Sequence, residues 1–311
     1  MAETGSAGNT LESAADQDSS ALHGTPAPPT QGTPRRVPPS LYDERYYLTN
    51  MEGYDLFLES HGRRVTPRHA KVLQIARIQP GERVLDVGCG RGELACQAAL
   101  AGAWARGIDY SAAAIALCRE AWRTYPQEVR RRLVFEQVDA NTALGTPNSY
   151  DVVFLIDVVE HLYPEELQRV LVAIYQVLRP GGRLILHTAP NVWFYRYAYP
   201  VARLLFPLIR RVSPSLVALA RTKPNWQGDT LPRHPEEGQE YNVRVHVNEQ
   251  SPRTLRQALR RAGFSPRLKM IPFTRQASGP ALSLLYTLLA LPPFRAILCA
   301  EIVAVARKPC R

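Results

Sequence analysis

The five cysteines of this 311-residue chain, Cys89, Cys96, Cys118, Cys299 and Cys310, are odd in number and include no C-x-x-C pair. That spacing indicates neither a disulfide framework nor a zinc site, and a reducing compartment is expected. The opening residues MAETGSAGNTLESAAD hold no basic run followed by an apolar one, so no secretory signal is expected. No apolar run of about 18 residues is free of charge, which argues against a spanning helix. The expectation is a cytoplasmic protein. The glycine-rich stretch VLDVGCGRGELA (84–95) departs from G-x-G-x-x-G, and no G-K-[ST] follows it. Neither a dinucleotide pyrophosphate nor a Walker-type phosphate is indicated.

What the chain does hold is the composition of a globular protein, 45% hydrophobic and 21% charged, with 26 prolines placed largely in a tail and in two insertions. Residues 1–40 are rich in Ala, Ser, Thr, Gly, Pro and Gln and poor in large apolar side chains. They cannot bury enough surface to offset the entropy of ordering, and a disordered tail is expected. Net charge is +10, and between Asn191 and Gln276 fifteen Lys and Arg stand against five Asp and Glu. The excess lies outside the glycine-turn half. It suits an anionic lipid, a nucleic acid, an acidic substrate or simply a solvated face.

From residue 83 onward strand and helix patterns alternate, as in a doubly wound sheet. RVLDV (83–87), WARGID (104–109), LVFEQVD (133–139), YDVVFLID (150–157) and RLILHTA (183–189) read as buried strands. Ser111 and Ser251 read as helix N-caps. After Pro190 the rhythm breaks, then resumes with a helix, a strand near RLKMIPF (267–273) and a strand AEIVAVAR (300–307). The expected fold is α/β, a doubly wound, Rossmann-like, seven-stranded and mostly parallel sheet, with insertions near 191–245 and 277–298.

Gly88, Gly90 and Gly92 allow a tight turn and close approach of a ligand. Asp86, Asp109, Asp139 and Asp157 each fall at the end of a successive strand, and in an open parallel sheet those ends face one crevice. Four carboxylates there repel a pyrophosphate. They suit a cationic ligand with ribose hydroxyls and an amine.

LDVGCGRGELA, GIDYS, VDA, DVVFLIDVVEHL and LRPGGRLIL, in this order and spacing, resemble the class I methyltransferases that use S-adenosylmethionine (SAM). The resemblance covers residues 65–190 and implies one domain over 41–311. It implies that Gly88, Cys89, Gly90 and Gly92 pass beneath the methionine and ribose, and that Asp86 holds the amine. Asp109 would accept from the ribose hydroxyls, Tyr110 would lie against the adenine, and Asp139 and Ala140 would meet its edge. Asp157 would close the methionine side. Methyl transfer also needs a positioned acceptor and, for many acceptors, a base. His161 ranks first for that role and His246 second, with Glu160 and His187 as further candidates.

DVVEHL also resembles the ubiquinone-pathway O-methyltransferases, in which acids and a histidine here accompany a divalent metal. The present stretch opens with the shorter Asp157, and D-V-x-E-H also occurs in metal-free methyltransferases. No metal is therefore assigned, and Asp157, Glu160 and His161 remain the set to test. LIDVVEHL stands where amino-methylating enzymes on nucleic acid carry an NPPY-type tetrapeptide, so nucleic acid is not the expected acceptor. Residues 192–221 mix aromatics, aliphatics and arginines, which fits a lid, a packing interface or peripheral contact with the inner membrane face. The expected activity is methyl transfer to a small or lipid-linked acceptor, most simply at oxygen. The alternatives are N-methylation of a small molecule or RNA, and a non-catalytic SAM-binding membrane scaffold. Oligomeric state is left open.

Overall fold

The central strand candidates hold apolar residues at successive positions, VVFLI (152–156) above all, and a run buried on both faces belongs inside a parallel sheet. The computed structural model describes residues 35–142, 144–212, 240–271, 291 and 294–310. Most of the expected tail, the first insertion beyond Val212 up to residue 239, and 277–290 of the second insertion lie outside the described residues.

Two helices, α1 (Tyr54–Ser60) and α2 (Pro67–Ala76), precede β1 (Arg83–Val87). There follow α3 (Glu93–Leu100), β2 (Trp104–Asp109), α4 (Ala112–Arg123), α5 (Gln127–Arg130), β3 (Leu133–Gln137), β4 (Tyr150–Ile156), α6 (Pro164–Val177) and β5 (Leu178–Thr188). Beyond β5 come α7 (Tyr199–Val212), α8 (Glu240–Val245), α9 (Pro252–Arg261), β6 (Ser265–Ile271), α10 (Phe294–Leu298) and β7 (Glu301–Arg307). The strand order is β3-β2-β1-β4-β5-β7-β6. Among the seven only β7 runs against its neighbours.

Side chains alternate across a strand, so each central strand feeds two cores. Val153 and Leu155 of β4 join Leu167, Leu171 and Ile174 of α6 and Leu255 and Leu259 of α9. Val152 and Phe154 join Val72 of α2, Leu94 and Ala98 of α3 and Ile115 of α4. The caps form as expected: Ser111 Oγ accepts from the Ala114 amide at 3.2 Å and Ser251 Oγ from the Thr254 amide at 3.1 Å. β5 begins at Leu178, earlier than the expected 183, because Tyr150 of β4 already pairs with Leu178. The folded unit also begins earlier than expected, at Arg36 within the stretch assigned to the tail. The reason is local: Val37 is buried with Tyr42 and Tyr47, and Arg36 pairs with Asp139.

Candidate functional site

Strand order reverses between β1 and β4, and the crevice outside their carboxyl ends is where open sheets of this kind bind ligands. A cavity of about 390 Å³ lies there. Its walls include Asp86, Gly88, Cys89, Gly90, Asp109, Tyr110, Asp139, Ala140 and Asp157. Its other walls bring Glu160, His161 and His246.

In the glycine turn, Gly88 has φ +70°, and a Cβ there would sit 2.6 Å from Val158 Cγ2. Gly92, at φ +79°, is not part of the cavity wall; its missing Cβ makes room behind the turn for the Phe135 ring at 2.6 Å and Cys118 Sγ at 2.9 Å. That corrects its expected place beneath a ligand: it is a packing glycine. Asp109 accepts from the amides of Gly90 at 3.0 Å and Ser111 at 2.9 Å. Burial outweighs those bonds and pushes its carboxyl up to about 6. Burial, joined by the nearby Glu93 carboxylate, pushes Asp86 up to about 8. Burial raises the Cys89 thiol well above its usual range, so it stays protonated wall.

Four buried polar atoms on described residues of the wall, Arg68 Nε, His69 Nδ1, Asp86 Oδ2 and Asn141 Oδ1, have no hydrogen-bond partner. Unpaired buried polar atoms are costly, and a ligand with polar ends would satisfy them. His69 was not anticipated. It sits in the first turn of α2, where Thr66 Oγ1 accepts its amide at 3.2 Å, and burial lowers its pKa. The residues present therefore fit a ligand carrying an amine and ribose hydroxyls.

Asp157 has φ +54° and turns its carboxylate away from any metal set. It pairs with His187 Nδ1, and its Oδ2 accepts from Arg68 Nη1 at 2.9 Å. Burial raises its pKa, but His187 and Arg68 hold it well below the usual carboxylate range. His187 Nε2 lies 3.2 Å from Glu301 Oε2 at the start of β7. Burial lowers the histidine's pKa, yet Asp157 and then Glu301 hold it up at about 10. This corrects the reading of His187 as a base. It is fully buried, already protonated, and clamped between two carboxylates.

The other candidates gather. One ligand atom each from Glu160, His161 and His246 lies within 4.8 Å of the others, and the two imidazoles are 5.1 Å apart, edge to face. His246 takes the place expected for Asp157, because Val247 and Asn248 donate their amides to the Glu160 carbonyl at 2.9 and 3.1 Å and fasten that loop down. Thr188 Oγ1 donates to Glu160 at 2.8 Å, and Tyr42 Oη lies 2.9 Å from His161 Nδ1. Burial, then Asp157, pushes Glu160 up to about 7. Burial, then His246, pulls His161 down to about 3. At neutral pH the cavity thus holds an uncharged imidazole beside a carboxyl poised to exchange a proton.

Asp139 differs from expectation. Its Oδ1 accepts from the Asn141 amide at 2.9 Å and its Oδ2 from Arg36 at 2.6 Å. Arg91, in the glycine turn, is wholly buried and donates to the carbonyls of Tyr47 at 3.2 Å and Glu52 at 2.7 Å. It thereby pins the segment before α1 across the cavity.

A family profile described as a methyltransferase domain matches residues 84–182. Residues 84–182 thus match a methyltransferase domain. Its curated relatives include a 27-O-demethylrifamycin SV methyltransferase of Amycolatopsis mediterranei, 35% identical over 47% of this chain and 52% of the relative. A ubiquinone biosynthesis O-methyltransferase of Aeromonas salmonicida is 37% identical over 35% of this chain and 43% of the relative. The match thus spans about half the length of these relatives. In fold, the chain resembles Haemonchus contortus phosphoethanolamine N-methyltransferase 2 in complex with SAM, with TM-score 0.50 and 17% identity over 86% of this chain and 60% of that one. The matched span holds every strand-end aspartate, whereas Arg36, Arg68, His69, His246 and Glu301 fall outside it. No sequence motif flagged Arg36, Arg68, His69 or Glu301.

Proposed function

We propose that this chain transfers a methyl group from SAM to an oxygen of a small or lipid-linked acceptor. When bound, SAM supplies an electrophilic methyl on a sulfonium. The observation that carries the reading is the sharing of one cavity by Asp86 and Asp109 with Glu160, His161 and His246. Asp86 and His69 hold an amino-acid end, and Asp109 receives ribose hydroxyls through charge-assisted hydrogen bonds. Glu160 takes the acceptor's hydroxyl proton, with His161 and His246 orienting the oxygen. Tyr42 fixes the His161 ring by the contact at Nδ1. Incubation with methyl-labelled SAM and fractionated lipid, metabolite and RNA pools tests this. Label in a hydroxyl-bearing metabolite or lipid supports it, and label confined to RNA, or to nothing, refutes it.

A lipidic acceptor is favoured by α7. Val201, Leu204 and Leu208 are 55%, 79% and 61% exposed on this helix, and Phe194 and Tyr195 just before it line the cavity. From Val192 to Val212 four arginines and no acid occur. Such a face suits an anionic membrane interface. No described helix is long and apolar enough to cross a membrane. Vesicles containing phosphatidylglycerol should retain the wild-type chain and release a Leu204→Glu, Leu208→Glu variant; equal retention refutes the contact.

A further inference from the structure

On the SAM reading, adenine belongs against the Tyr110 ring and the Asp139 carboxylate. Both places are taken. The Arg36 guanidinium carbon lies 5.0 Å from the Tyr110 ring centroid. Its Nη1 lies 2.6 Å from Asp139 Oδ2, and its Nε lies 3.9 Å from Glu166 Oε1. Asp139 Oδ1 is meanwhile engaged by Asn141, through the backbone amide at 2.9 Å and the side-chain amide at 3.1 Å. A guanidinium is flat, stacks on aromatic faces and donates from its edge. An adenine ring stacks on the same kind of face and donates from its amino edge. We propose that Arg36 and adenine compete for one subsite, so that cofactor binding is an exchange of guanidinium for adenine on Tyr110 and Asp139.

This inference rests on the SAM reading of the cavity. The anchoring of the segment supports an exchange rather than a fixed wall. Behind Arg36 the chain is firmly held: Val37, Tyr42 and Tyr47 are buried, Ser111 Oγ donates to the Tyr42 carbonyl at 2.7 Å, and Arg91 grips the carbonyls of Tyr47 and Glu52. At the tip the hold is weak. The Arg36 side chain is 36% exposed and that of Asp139 27%, and a pair so open to water is screened and contributes little. A cation over an exposed ring adds a similarly small amount. The side chain can therefore swing out while the strap stays in place. A subsite filled part of the time raises the apparent dissociation constant by the inverse of its free fraction.

Titration calorimetry of the full chain with SAM tests the exchange, using wild type, Arg36→Ala and Arg36→Lys. Arg36→Ala should bind about threefold to tenfold more tightly than wild type, with Arg36→Lys between them. The gap should narrow as salt is raised from about 0.05 to 0.5 M, because the competing ion pair is screened. If wild type binds SAM and Arg36→Ala binds equally or less tightly, the exchange is overturned while the cofactor reading stands; Arg36 would then be part of the adenine wall. If neither protein binds SAM, the cofactor reading itself fails and the exchange with it.

Discussion

Arg91 offers the most demanding test of how the glycine turn is built. Its guanidinium is fully buried and meets Glu93 Oε1 at 2.8 Å from Nη2 and 2.9 Å from Nε. It also donates to the carbonyls of Tyr47, Met51 and Glu52 at 3.2, 3.5 and 2.7 Å. Arg91→Met keeps most of the volume and removes every donor. The Glu93 charge is then buried without a partner, a loss of about 3–5 kcal/mol. For a chain of this size that lowers the melting temperature by roughly 6–20 °C. The same change frees the strap over the cavity and leaves the Glu93 charge beside Asp86, so SAM affinity should fall in parallel. Thermal unfolding followed by circular dichroism, with titration calorimetry on the same samples, reads both effects. The double variant Arg91→Met, Glu93→Gln decides the cause: with no orphaned charge it should recover a large part of the lost stability. An Arg91→Met protein within about 1 kcal/mol of wild type, or a double variant no better than the single one, would refute the reasoning.

His187 should tie stability to alkaline pH. Its folded pKa of about 10 lies above the ordinary 6.5, so its contribution is complete below 6.5 and lost as pH rises through 10. The urea midpoint of the wild type should fall across that window and that of His187→Gln should stay flat; a flat wild type contradicts the clamp. Gly88→Ala places a Cβ 2.6 Å from Val158 at φ +70°, and calorimetry should find SAM binding weakened at least ~10-fold. Unchanged affinity would remove Gly88 from the cofactor wall. With Glu160 near 7, kcat/KM should rise with pH through that value and lose the limb in Glu160→Gln. A limb that survives the substitution removes Glu160 from the role of base.

The sheet was readable from residues because β1 to β5 are built largely of apolar residues, while α4 between them has a serine cap and α6 an amphipathic stripe. The strand-end acids were readable for the same reason, since the end of each run places its acid at the crevice. What pairs with those acids was not. Asp139 meets Arg36 across 103 positions and Asp157 meets Arg68 across 89, separations that no local period encodes. His187 is a case of correct placement and wrong chemistry. A histidine at the end of a central strand looks like a base until Glu301 approaches its far nitrogen. Asp157 left the set to be tested for a metal in the same way, its carboxylate engaged by His187 and Arg68. The Glu160 and His161 pair survived because they share a short turn, and His246 reached them through backbone bonds formed by a distant loop.

The reversed direction of β7 has a consequence for synthesis. Because that strand runs against β5, its first residue, Glu301, meets the carboxyl end of the sheet, 114 positions after His187. A nascent chain therefore emerges from the ribosome with Asp157 and His187 long before the second carboxylate exists. Until Glu301 is translated, β5 has no β7 beside it and His187 has no second carboxylate, so the crevice cannot take its final electrostatic form. The order of translation thus makes the last strand of the sheet the step that completes the site.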